Sequence, residues 1–97
     1  MSQVSTGNDE RYRSMFKNKA SDGKLNLSGK RIAELRTALP GKVSQRALSD
    51  MLQLEGIDLD KNAIQQIECG KRFVTDIELK ALAKLFGVTA DMLLSDE

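Results

Sequence analysis

DKNAIQQIECGKR, residues 60–72, has two faces of opposite character when wound as a helix. With ~100° per residue and Lys61 at zero, Ala63, Ile67 and Ile64 fall at roughly 200°, 240° and 300°. Lys61, Gln65, Asn62 and Gln66 fall at about 0°, 40°, 100° and 140°. The apolar face centres near ~250° and the polar face near ~70°, on opposite sides of one helix. Asn and Gln can pair with the edge of adenine, and Lys with guanine. A helix with a core behind it and such a face in front suits the major groove of DNA. A solvated helix on any small bundle has the same pattern, so the rest of the chain must decide.

The chain has 97 residues, enough for one small domain and a tail. Apolar residues make up 40% and aromatic residues 4%, so the core is expected to be aliphatic. One Pro and dispersed Gly argue for helices over a turn-rich sandwich. No apolar run approaches the ~18 residues of a membrane span. The first residues, MSQVSTGNDERYR, lack an apolar signal core, so a cytoplasmic protein is expected. The single Cys, Cys69, fits that compartment and excludes an internal disulfide. Asn26-Leu27-Ser28 matches a glycosylation pattern, which carries no meaning without a secretory route.

The chain has no His. Ser-His and Cys-His nucleophiles and His-ligated metals are therefore excluded, and neither an enzyme nor a metal or other cofactor is expected. Residues 1–24 carry five basic and three acidic side chains, residues 25–74 eight and six, and residues 75–97 two and five. The C-terminal quarter is thus the poorest candidate for a phosphate-facing surface.

Residues 1–24 have scattered charge and few apolar residues and read as a flexible N-terminal arm. Tyr12, Met15 and Phe16 have the spacing of a helix turn. Docking on the core and touching DNA are the two roles open to the arm. From residue 25 onward one pattern recurs. An apolar residue precedes Ser, Thr or Asp, and a second apolar residue follows five positions after the first. The instances are Leu27-Ser28 with Ile32, Val43-Ser44 with Leu48, Leu59-Asp60 with Ile64, Val74-Thr75 with Leu79, and Val88-Thr89 with Leu93. This is a hydrophobic staple around an N-cap, and Glu78 completes a capping box with Thr75. Five caps predict five helices. The first runs over 28–38, stopped by Pro40 and Gly41, and the second over 44–55, stopped by Gly56. The third occupies 60–69 before Gly70. The fourth starts at Thr75 and ends before Gly87, and the fifth spans 89–94. No segment alternates as a strand does. The expected core is Ile32, Leu35, Leu39, Leu48, Met51, Leu52, Ile57, Leu59, Ile64, Ile67, Phe73, Leu79, Leu82, Ala83, Phe86, Val88 and Leu93.

Helix two, a connection and a third helix with a polar outer face form a helix-turn-helix arrangement. GKRIAELR, VSQRALSDML, NAIQQIECGKR and ELKALAKLFGVTADMLL together resemble the Cro and lambda-repressor-like family, also called the XRE family. The resemblance covers about residues 25–95. It implies an all-α, compact five-helix bundle of the lambda-repressor-like type over residues 25–97. It also implies a sequence-specific transcriptional regulator of the repressor type, binding double-stranded DNA, often as a homodimer on a near-palindromic site. Residue by residue, Lys61, Asn62 and Gln66 match positions that reach base edges. Gln45 matches a Gln that contacts a phosphate and supports the reading helix, and Lys71 lies where the family touches the backbone. Arg46, Gln65 and Arg72 are expected beside them on the DNA backbone. Arg36 and Glu68 match a partly buried ion pair between helices one and three. The loop at 40–43 is longer than the family's usual one. The link LQLEGIDLD is about five residues longer than its tight turn, which bears on the approach angle of helix three.

Two other functions compete. Asp58-x-Asp60-x-Asn62 begins like a calcium-binding loop, but Ala63 stands where that loop needs Gly and Cys69 where it needs a bidentate carboxylate. Cys69 lacks the cation cluster or second Cys of a redox sensor. The serious alternative is a protein-interaction module, such as an antitoxin or co-regulator, with weak or no direct DNA binding. An apolar patch near Phe73, Met92 and Leu94 would favour it.

Overall fold

Four helix starts are fixed by the cap residues read in the sequence. The computed structural model describes residues 22–95. Ser44 accepts from the Ala47 backbone N–H at 3.0 Å, Asp60 from Ala63 at 2.8 Å, and Thr89 from Met92 at 3.1 Å. Thr75 and Glu78 close a reciprocal capping box. The helices are α1 (Gly29–Ala38), α2 (Gln45–Leu54), α3 (Lys61–Glu68), α4 (Asp76–Phe86) and α5 (Ala90–Leu94). The described residues contain no strand. The arm read at 1–24 lies outside them apart from its last three residues, as do Tyr12, Met15 and Phe16.

The fifth cap is corrected. Ser28 is buried and makes no side-chain cap bond. Its backbone is already helical, so the capping oxygen must come from further upstream. Asn26 Oδ1 supplies it, accepting from Gly29 N–H at 2.8 Å. Leu27 is more than half exposed, so the spacing to Ile32 is not a staple here.

Each helix delivers at least one fully buried side chain to a single core. Ile32 comes from α1, Leu48 and Leu52 from α2, Ile64 and Ile67 from α3, Leu82 and Ala83 from α4, and Leu93 from α5, with Leu59 from the link. Burying one such Leu or Ile stabilises by about 1.5–3 kcal/mol. The short α5 could not persist alone, and Leu93 anchors it. The apolar partners at the four true staples, Val43, Leu59, Val74 and Val88, pack on this core. Phe73 departs from expectation and is 50% exposed. It lies in the turn before α4, where Val74 takes the inward position.

The long link is tied down. Ile57 N–H donates to Leu52 O at 3.0 Å, closing the end of α2. The Ser49 hydroxyl donates to Leu59 O at 2.6 Å inside the core, and Leu59 itself is buried. Asp60 then caps α3. The N-terminal end of α3 is therefore fixed to α2 by a buried hydrogen bond and an apolar anchor. In the other loop, Gly41 and Lys42 both take positive φ, 87° and 55°, which reverses the chain between α1 and α2.

Candidate nucleic-acid interface

The two faces of α3 are realised. Ile64 and Ile67 are buried and Ala63 is partly buried, while Lys61, Asn62, Gln65 and Gln66 are exposed. Among the described residues these four side chains have no hydrogen-bond or ion-pair partner. Their donors and acceptors are free to meet a ligand. Arg46 and Lys71 are likewise exposed and unpaired among the described residues. Asp58 is exposed ahead of α3, and the Asp60 carboxylate is committed to the cap.

Behind this face a polar knot joins three helices. Arg36 of α1 donates from Nε to Glu68 Oε2 at 2.8 Å and from Nη2 to Oε1 at 3.1 Å. The pair is bidentate, with side chains 15% and 7% exposed. Arg36 Nη1 also donates to Val43 O at 2.9 Å. The guanidinium is held above its ordinary pKa by the hydrogen bond to Glu68, against the opposing effect of burial. Glu68 reaches this place because it sits at about 340°, at the edge of the apolar face beside Ile64.

Gln45, expected to contact a phosphate and to support the reading helix, is tied to that helix directly. Its Nε2 donates to Glu68 Oε1 at 2.9 Å, and the residue is partly buried. The first residue of α2 is thereby locked to the last residue of α3. One N–H and the amide oxygen of Gln45 are left for another partner.

Arg72, expected on the DNA backbone, is engaged within the chain. Its guanidinium pairs with Glu78, from Nη1 to Oε1 at 3.0 Å and from Nη2 to Oε2 at 3.3 Å, and Nη1 also donates to Phe73 O. It shapes the turn between α3 and α4. Burial acts to raise the Glu78 pKa. The Arg72 hydrogen bond and the Thr75 backbone N–H outweigh it, and the carboxyl sits below its ordinary value.

The residue that sequence reasoning missed is Asn26, set aside there as part of an empty glycosylation pattern. Besides capping α1, it donates from Nδ2 to Ile67 O at 3.0 Å and to Arg72 O at 2.7 Å. Its only local signal is that Asn is a preferred N-cap. Its partners in and after α3 are 41 and 46 residues away.

Among the described residues no helix is long and apolar enough to cross a membrane. Comparison with family profiles, with curated proteins and with solved structures gives no match.

Proposed function

We propose that this chain is a sequence-specific DNA-binding regulator of the lambda-repressor-like helix-turn-helix type. On this reading the exposed face of α3 enters the major groove. One observation carries the reading: α3 presents Lys61, Asn62, Gln65 and Gln66 outward, unpaired among the described residues, on a helix pinned by buried apolar contacts and by Glu68. Lys61, Asn62 and Gln66 read base edges, and Gln65, Arg46 and Lys71 meet phosphates. The N-terminus of α2 adds backbone N–H groups that favour a phosphate. Gln45 holds α3 through Glu68 and offers its remaining amide atoms to the backbone. Arg72 contributes through the turn it builds with Glu78. A homodimer on a near-palindromic site belongs to the same reading.

The test separates reading from holding. Gln66→Ala is expected to cost ~1–3 kcal/mol on the preferred duplex and to relax the choice at one base pair. Gln45→Ala weakens all duplexes by similar factors and also lowers stability by about 1 kcal/mol, since Glu68 loses a bond. Equal losses on every single-base variant for Gln66→Ala would overturn the base-reading assignment.

A second reading, a protein-docking module, is supported by the exposure of Phe73, Ile77, Met92 and Leu94. It requires these residues, and not α3, to carry the binding. Alanine at Phe73 and Ile77 with no loss of DNA affinity separates the two.

A further inference from the structure

Both ends of α3 are held from outside the helix, by different means. At its start Leu59 is buried and Leu59 O accepts from Ser49. At its end the chain entering α1 lies across the last turn. Asn26 Nδ2 bridges Ile67 O and Arg72 O, and Leu25 N–H donates to Gly70 O at 2.9 Å. Asn26 Oδ1 fixes the same amide against the start of α1 through Gly29 N–H. Gly29 lets the two backbones meet: a Cβ there would lie 2.1 Å from Ile67 O. One amide side chain thus connects the first turn of α1, the last turn of α3 and the turn after it.

Ile67 immediately follows Gln66, whereas Lys61 and Asn62 lie a turn or more away, beside the Ser49–Leu59 anchor. A helix that reads base edges must be held within about 0.5 Å of its productive place. We infer that Asn26 is a positioning residue for α3, setting the placement of Gln66 and leaving Lys61 and Asn62 to the other anchor. This rests on the DNA-reading role proposed for α3. Asn26 touches no base itself and acts through the backbone of Ile67 and Arg72.

Two variants isolate the bridge. Asn26→Ser and Asn26→Asp each keep an oxygen of N-cap type for Gly29 N–H. Asp has no donor when ionised, and the Ser hydroxyl carries a single hydrogen, too few for two carbonyls. Each variant of the full chain is measured against the preferred duplex and its single-base variants, at a temperature where circular dichroism shows it fully folded. Discrimination at the base pair assigned by Gln66→Ala is expected to fall roughly tenfold, the scale of one weakened base contact. Discrimination at the pairs assigned to Lys61 and Asn62 falls less than about threefold, below the worth of one such contact. In the free protein, amide resonances of residues 66–72 move more than those of residues 61–63. A lower melting temperature with unchanged discrimination, a uniform loss at all base pairs, or failure of both variants to fold would overturn the positioning role. If the wild-type chain prefers no duplex, the DNA reading fails. The resonance pattern in the free protein then still supports or refutes the hold of Asn26 on the end of α3.

Discussion

Replacing Glu68 by Gln leaves the shape of the side chain and removes its charge, which tests the knot behind α3. The carboxylate accepts three hydrogen bonds, two from Arg36 and one from Gln45, at 2.8, 3.1 and 2.9 Å. An amide offers one acceptor oxygen and turns an NH₂ group toward donors that cannot accept from it. At least one of the three bonds is lost outright, and the survivors lose their anionic acceptor. Hydrogen bonds to charged groups contribute about 1.5–3 kcal/mol each. Breaking a fully buried ion pair costs about 3–5 kcal/mol. Arg36 keeps some contact with water, at 15% exposure, so the lower end applies and the expected cost is about 3 kcal/mol. In a small domain that corresponds to a fall of roughly 10–20 °C in melting temperature. The assay is urea unfolding of Glu68→Gln, Arg36→Met and the double variant. The two single costs should exceed the double cost by at least about 1.5 kcal/mol, because the second change no longer strands a charge. A cost for Glu68→Gln below about 0.5 kcal/mol, or additive single costs, would refute the reasoning.

Two further predictions concern stability. Gly29→Ala drives a methyl group into the Ile67 carbonyl, whereas Gly56→Ala meets open space and is strained only by its φ of +81°. Gly29→Ala is expected to cost about 3 kcal/mol and Gly56→Ala about 1 kcal/mol, and thermal melts showing the reverse order would contradict the close approach of α1 and α3. Because the folded-state pKa of Glu78 is depressed, its contribution is present above the ordinary value of 4.5 and is lost as pH falls below that value through the folded one. Glu78→Gln should therefore flatten the fall in unfolding free energy below about pH 5, and an unchanged acid profile would show that Arg72 does not hold this carboxylate.

What the sequence disclosed and what it hid divide along chain distance. A cap and its staple lie within a few residues, so Ser44, Asp60, Thr75 and Thr89 could be read directly, and with them the helix boundaries. The nine apolar side chains buried among the described residues all belong to the core expected from the sequence. At the first helix the staple spacing pointed to Ser28 alone, and Asn26 was not read as a cap. Only the approach of Ile67 O and Arg72 O, from the far side of the chain, decides for Asn26. Phe73 has an apolar neighbour on its C-terminal side, and periodicity does not say which of the two a turn sends inward. Gln45 was legible as a residue at the start of α2. Its bond to Glu68 depends on how the long link returns α3 past α2, which no local pattern encodes. The Arg72–Glu78 pair likewise needs the turn between α3 and α4 to bring residues six apart together. The α3 face was the most legible part, because one helical period separates core from surface.

The central claim is that the exposed face of α3 reads DNA sequence, and selection from a random duplex pool tests it most directly. The full chain and a Lys61→Ala, Asn62→Ala, Gln66→Ala triple variant are each carried through the selection, with circular dichroism confirming that both are folded. The wild-type chain should enrich a defined sequence, with affinity for it falling steeply as salt is added, since Arg46, Lys61 and Lys71 displace counterions. The folded triple variant should enrich none and keep only a weak, salt-sensitive affinity for any duplex. Enrichment of the same sequence by both proteins, or of none by the wild-type chain, would contradict the claim.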